Sequence, residues 1–109
     1  MIVIDPLPDE LALARAQIDS GLPALAEGTV RRRLAWLEAE GNAAAGDEMD
    51  ALRLLLAEAA WRQHRPAQAR VALESMRPGS ARRHLPIALL IEAESLAATG
   101  EMDRAQGVG

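Results

Sequence analysis

Residues 50–77 read DALRLLLAEAAWRQHRPAQARVALESMR, and this stretch decides the fold. Its apolar residues recur every three or four positions, which is the spacing of one face of an α-helix. Proline suits the first turn of a helix but not its interior, so Pro66 ends one helix and starts another. The stretch therefore predicts two antiparallel helices joined by a tight turn at residues 64–66. Their inward faces are Leu52, Leu56, Ala59 and Ala60 in the first arm and Ala69, Ala72, Leu73 and Met76 in the second.

The hairpin has small residues where its arms meet and stop signals at its ends. Ala57, Ala60 and Ala69 would let the two helices approach closely. Pro78 and Gly79 follow the second arm and end it. At the other end, Asp47 and Asp50 lie in or near the first turn, where a carboxylate can cap free amides and meet the positive end of the helix dipole.

Composition extends the helical interpretation to the whole chain of 109 residues. Half of the residues are apolar, while Phe, Tyr and Cys are absent and Trp36 and Trp61 are the only aromatic residues. Few β-branched and aromatic residues argue against sheets, so we predict an all-α fold. The net charge of −4 disfavours nucleic acid as a partner. The apolar stretch at residues 1–4 is too short to span a membrane or to be a signal peptide, so we expect a cytoplasmic protein with no membrane partner.

The remaining segments are predicted to form further helices of a single domain spanning residues 1–109. A first helix starts at either Pro6 or Pro8 and ends at Gly21. Pro23 then begins one long helix to residue 40, with Arg31, Arg32 and Arg33 inside it and with an inward face of Leu25, Ala26, Val30, Leu34 and Leu37. Residues 42–46 are expected to be a loop. Another helix runs over residues 86–98, closes at residues 99–100, and is followed by a truncated helix at 101–106. The predicted hairpins are thus about 6–40, 47–77 and 80–106.

Three similar segments suggest an internal repeat. GLPALA at 21–26, HRPAQA at 64–69 and GEMDRA at 100–105 each place an alanine five residues after the start of a turn, at spacings of 43 and 36 residues. Periods of this size are typical of helical-hairpin solenoids. With Gly100 and Ala105, Ala57 and Ala93, and Ala69, Leu73 and Met76, the chain resembles the tetratricopeptide repeat family. It departs from that family at most of the aromatic positions and in its irregular period, and a generic helical bundle is the alternative.

The resemblance implies a short right-handed superhelix whose concave groove is lined by the first helix of each hairpin. The helical spacing independently places each of three sets on one helix face. Such a groove would bind a protein or peptide, with Trp61 as an anchor, since aromatic residues often dominate interfaces. Ordinary packing between helices would produce the same pattern. The predicted groove residues are Leu11, Arg15, Ile18 and Asp19, then Leu54, Glu58, Trp61 and Arg62, then Leu90, Glu94, Ala97 and Ala98.

We predict no catalytic, cofactor or metal site. The two histidines, His64 and His84, lack the spacing of a helical metal site, and Glu92 and Glu94 point to different faces of a helix. The chain has no glycine-rich phosphate loop and no recognisable serine nucleophile motif. The consecutive arginines at 31–33 fan around a helix, which favours pairing with glutamates such as Glu27, Glu38 and Glu40.

The segment at residues 85–93 is apolar nearly all round, so one neighbouring hairpin cannot cover it. We therefore expect an interaction face (the oligomer face) formed by Ile87, Leu90, Ile91 and Met102, which docks either on a symmetric copy, as in a homodimer, or on a removed part of a longer chain. The leading function is a protein–protein interaction module, such as an adaptor, scaffold or co-chaperone-like binder. The alternative is a homo-oligomerisation domain or a regulatory helical domain of a larger protein, and an enzyme is the least expected class.

Overall fold

The computed structural model describes residues 10–41 and 43–106, with side chains as far as Gly100. This part of the chain contains five helices and no strands, which confirms the all-α prediction there. Two short 3₁₀ turns precede the third and the fifth helix. The helices are α1 (Glu10–Asp19), α2 (Pro23–Glu40), α3 (Gly46–Arg62), α4 (Pro66–Glu74) and α5 (Pro86–Gln106), and the 3₁₀ turns are Ala43–Ala45 and Ala81–His84.

Helix ends follow the glycine and proline signals in the sequence. Gly21 and Gly41 have positive φ angles of 81° and 64°, a conformation that glycine adopts without steric cost. The Gly41 N–H donates to the carbonyl of Leu37 and closes α2. Pro23 and Pro66 occupy the first positions of α2 and α4, as predicted. The arginines at 31–33 lie inside one continuous α2.

Helix α3 is the centre of the fold. Nine of its 17 residues are buried, and it contacts each of the other four helices. On one side Leu52, Leu55 and Ala59 pack with α1 and α2. On the other side Leu54, Ala57 and Ala60 pack with α4 and α5. Two core clusters therefore share one helix, and α3 brings the N-terminal and C-terminal helices together.

The predicted α3–α4 hairpin is present. Its turn covers residues 63–65, and the Arg65 N–H donates to the Ala60 carbonyl at 2.9 Å. Ala57, Ala60 and Ala69 are at most 3 % exposed, as expected for alanines at a close helix contact.

In α2, by contrast, Leu25 does not face inward: it is 53 % exposed, because the packed face of that helix is centred on Ala26, Val30 and Leu37.

Asp50 is not a helix cap. The N-cap of α3 is Ala45, with no side-chain hydrogen bond, and Asp50 lies one turn further along with no exposed side-chain surface. Its Oδ2 accepts from Arg77 Nε at 2.6 Å, and its Oδ1 accepts from the Arg77 backbone N–H at 3.1 Å. This clamp ties the start of α3 to the segment after α4. A Cβ at Gly46 would lie 2.7 Å from Arg77 Nη1, so glycine leaves room for the clamp.

We expect the clamp to make stability depend on pH. Burial opposes ionisation of Asp50, but the hydrogen bonds from Arg77 outweigh it and lower the pKa of the carboxyl. A lowered pKa contributes stability that is present above the unfolded-state value, about 4, and is lost as pH falls through the folded-state value. The free energy of unfolding should therefore decline below about pH 4. Denaturant melts across this range should give a shallower decline for Asp50→Asn, and an equal decline would contradict the assignment.

Two predicted connections have a different structure. Residues 43–45 form a 3₁₀ turn that leads directly into α3, where we expected a loop. The third hairpin, predicted for residues 80–106, is a 3₁₀ turn followed by a single helix, because α5 continues through Thr99 and Gly100. The GEMDRA segment at residues 100–105 is therefore helical and is not a turn, so the prediction of a third copy of the repeat is wrong.

The predicted oligomer face is wrong at Ile87 and Ile91. Ile91 is fully buried against Leu54, Ala60 and Met76, and Ile87 is partly buried beside the same cluster. Both isoleucines face α3 and α4, so neighbouring helices of the same chain cover them. Leu90 is 44 % exposed, and the side chain of Met102 lies outside the described residues.

Candidate functional site

A cavity of about 430 Å³ lies where α1, α3 and the start of α5 converge. Most of its lining is aliphatic, with one ion pair and one further arginine at the edge. The 3₁₀ turn before α5 closes one side, because Arg82 Nε and Nη2 donate to Asp47 in the first turn of α3 at 3.2 and 3.1 Å. The lining residues are Leu11, Ala12 and Arg15 from α1, Ala51, Leu54, Leu55 and Glu58 from α3, and Arg82, Leu85 and Ile87.

Arg15 and Glu58 form the ion pair in this cavity. Arg15 Nη1 and Nη2 donate to the two carboxylate oxygens of Glu58 at 2.7 and 2.6 Å, in a bidentate arrangement. The Glu58 side chain is only 3 % exposed, whereas that of Arg15 is 41 % exposed. The hydrogen bonds from Arg15 to Glu58, and then those to Asp19, raise the pKa of Arg15 above its usual value. The pair joins α1 to α3, and it neutralises the one buried carboxylate at the cavity.

Polar contacts continue from Glu58 across α3 to α5. Arg62 Nη2 lies 3.6 Å from Glu58 Oε2, and the Arg62 guanidinium carbon lies 5.6 Å from the centroid of the Trp61 ring. Trp61 Nε1 donates to Glu94 Oε1 of α5 at 3.0 Å. A row of interacting side chains thus crosses α1, α3 and α5, and it meets the apolar cavity at Arg15 and Glu58.

The structure brings together part of the predicted groove. Four predicted residues, namely Leu11, Arg15, Leu54 and Glu58, line the cavity. Asp19, Trp61, Arg62 and Glu94 lie in the adjoining polar row.

Ile18 does not belong to the groove, since it is 2 % exposed and packs in the core with Val30 and Leu52. Leu90, Ala97 and Ala98 do not line the cavity. In α1, therefore, Leu11 and Arg15 reach the cavity and Ile18 does not, while the predicted groove residues of α5 do not line it.

Sequence reasoning missed six lining residues. Ala12, Ala51 and Leu55 are beside predicted positions on their helices, and the helical period alone could have included them. Arg82 and Leu85 lie in the connection before α5, and their place depends on the long-range contact with Asp47. Ile87 had been assigned to the oligomer face.

Two smaller features lie away from this site. A cavity of about 340 Å³ between α2, α3 and α4 is lined by residues such as Leu56, Ala60 and Val71. On α2, Arg31 pairs with Glu27, while Arg33 pairs with Glu48 at 2.7 Å and stacks over Trp36 at 4.6 Å. Arg31 and Arg33 thus pair with different glutamates.

In the part of the chain that the structure describes, no group of three or more His, Cys, Asp or Glu side chains is placed to hold a metal ion. None of the described helices is long and apolar enough to cross a membrane. No known protein family, curated protein or solved structure shows significant similarity to the chain.

Proposed function

We propose that the chain is a protein-interaction module and that the cavity between α1, α3 and the start of α5 receives an apolar side chain of a partner protein or peptide. The observation that carries this proposal is the cavity itself, which is aliphatic at its centre and polar along one edge. Sites that anchor peptides commonly combine an apolar pocket with a few oriented polar groups.

The partner that best fits this cavity presents an aliphatic or aromatic side chain with polar groups beside it. Leu11, Leu54 and Leu55 supply apolar surface. Arg15 retains 41 % side-chain exposure while holding Glu58, so an additional hydrogen bond to a backbone carbonyl or carboxylate is geometrically open to it. We assign no catalytic or cofactor role to these charges, since Arg15 and Glu58 already satisfy each other.

The order of helix contacts supports the further proposal of a tetratricopeptide-like arrangement. Consecutive helices pack on each other, and α3 also contacts α1 and α5. In a hairpin solenoid the first helix of each unit packs beside the first helix of the next, which corresponds to α1, α3 and α5 here. The continuous α5 departs from the repeat pattern, because a second helix of the third hairpin is missing from the described chain.

Filling the cavity tests the proposed function. Ala12 is exposed and lines the cavity, so Ala12→Trp would block it without entering the core. Leu13 is 39 % exposed on the same helix and lies outside the lining, which makes Leu13→Trp the matched control. Peptides selected from a displayed random library against the wild type would be measured by calorimetry.

We expect Ala12→Trp to weaken the affinity by at least about tenfold, equivalent to 1.4 kcal/mol, and Leu13→Trp to leave it nearly unchanged. Circular dichroism would verify that both variants remain helical. If no peptide is enriched over an unrelated helical protein, or if the two variants bind alike, the cavity is not the binding site.

A further inference from the structure

Helix α5 carries an apolar face that the described residues leave about half exposed. Its five central residues are Leu89, Leu90, Ala93, Leu96 and Ala97, which we call the outer face of α5. The three leucines are 49, 44 and 46 % exposed, and both alanines are exposed. The opposite side of the same helix is buried through Ala88, Ile91 and Ser95. This face is separate from the cavity.

The spacing of the outer face matches that of a helix-pairing seam. Steps of three and four residues connect positions 86, 89, 93, 96 and 100, which lie in a line along the helix. The two nearest charged residues, Glu92 and Glu94, lie at its margins, and Glu94 is turned towards Trp61 by a hydrogen bond. A continuous apolar stripe of about four helical turns is unusual on the free surface of a monomer and indicates an interface.

We propose that the outer face of α5 binds a second copy of the chain, with the two helices antiparallel and the two-fold axis passing beside Ala93. A two-fold interface requires a patch that is complementary to itself. Reversing the outer face about Ala93 places Leu89 opposite Ala97 of the other copy and Leu90 opposite Leu96. Leu89 then meets a small side chain, Leu90 and Leu96 meet as two apolar side chains, and the alanine at the axis allows a close approach of the two backbones.

The available area agrees with a reversible dimer. The exposed parts of the three leucines amount to on the order of 200 Å², taking the area per leucine implied by transfer free energies. Ala93, Ala97 and Pro86, all of them exposed, extend the face to on the order of 400 Å² on each copy. The pair would then bury about 800 Å² in total, which is less than the roughly 1,000 Å² of a stable specific interface, so we expect a weak and reversible dimer.

Sedimentation velocity over a concentration series tests self-association. We expect the wild type to shift from monomer to dimer in the micromolar range, and Leu89→Glu to remain monomeric with an unchanged helical spectrum. Leu25→Glu is the matched control, because Leu25 is 53 % exposed on α2. A wild type that stays monomeric throughout, a larger complex, or a loss of dimer in Leu25→Glu would overturn the proposal.

Disulfide trapping tests the antiparallel geometry. The chain has no cysteine, so each introduced thiol is the only one present. Under mild oxidation Ala93→Cys should cross-link to itself, because a disulfide needs Cα atoms within about 7 Å and this position lies beside the axis. Leu89→Cys and Ala97→Cys should cross-link poorly alone but well when mixed. A parallel pair would instead give comparable self-cross-links at 89, 93 and 97, and would overturn the proposed orientation.

Discussion

Replacing Arg77 with alanine is expected to lower the free energy of unfolding by about 2 kcal/mol. Removing one partner of a buried ion pair typically costs about 3–5 kcal/mol, because the remaining charge has lost its compensation. Asp50 has no exposed side-chain surface and accepts both a side-chain and a backbone hydrogen bond from Arg77. Three features retain part of the compensation: Arg53 Nη1 lies 3.5 Å from Asp50 Oδ1, alanine keeps the backbone N–H that donates to Asp50, and the Arg77 side chain is 55 % exposed and therefore screened by solvent. The expected loss therefore lies below that range, at about 2 kcal/mol.

A double-mutant cycle separates the ion pair from other effects of the substitution. Urea melts of Arg77→Ala, Asp50→Asn and the combined variant should show losses that are smaller together than their sum. The matched control is Arg82→Ala, whose partner Asp47 is 73 % exposed, and which should cost less than about 1 kcal/mol. Equal losses in Arg77→Ala and Arg82→Ala would show that burial of Asp50 does not set the energy.

The role of Asp50 could not be predicted from the sequence alone. Local chemistry identifies Asp50 as a carboxylate near the start of a helix, and a cap is the usual role of such a residue. Its actual partner lies 27 residues further along the chain. No local pattern encodes that contact, because it depends on how the α3–α4 hairpin closes. The apolar spacing predicted the hairpin itself well, since the buried face of each helix follows directly from its period.

The sequence predicts that a helix stops at Thr99 and Gly100, but α5 continues through both residues. A glycine inside a helix costs only about 1 kcal/mol, which the surrounding turns can offset. A Cβ at Gly100 would meet no atom within 4 Å, so packing does not require glycine there. Thr99 Oγ1 donates to the carbonyl of Ser95 at 2.8 Å and accepts from Arg70 at 3.0 Å, which satisfies its hydroxyl inside the helix. The stop signal was therefore weaker than the helical contacts around it.

For the candidate site, the helical period predicted which residues share a helix face. It did not predict how deeply each side chain is buried. Arg15 and Glu58 were placed on facing helices, and they form the ion pair in the cavity. Ile18 lies one turn from Arg15, yet it is buried, because α2 covers that end of α1. The burial of a side chain depends on where neighbouring helices cross, and a single sequence does not specify that crossing.

The second large effect is expected at Ile91. This residue is fully buried in the cluster that joins α3, α4 and α5, so Ile91→Asp would place a carboxylate among apolar side chains with no cation supplied for it. An unpaired buried charge costs several kcal/mol, a large part of the 5–15 kcal/mol that stabilises a typical domain. We expect the variant to lose its cooperative thermal transition, or to melt at a markedly lower temperature than the wild type.

Leu89→Asp is the matched control for Ile91→Asp, because it lies two residues away on the same helix with 49 % exposure. Its free energy of unfolding should change by no more than about 1 kcal/mol at concentrations where the wild type is monomeric, since exposed substitutions are usually mild. Far-UV circular dichroism during thermal melts would compare the two variants. If both melt like the wild type, α5 is not packed through Ile91. If both unfold, the outer face is covered within the chain and cannot pair with a second copy.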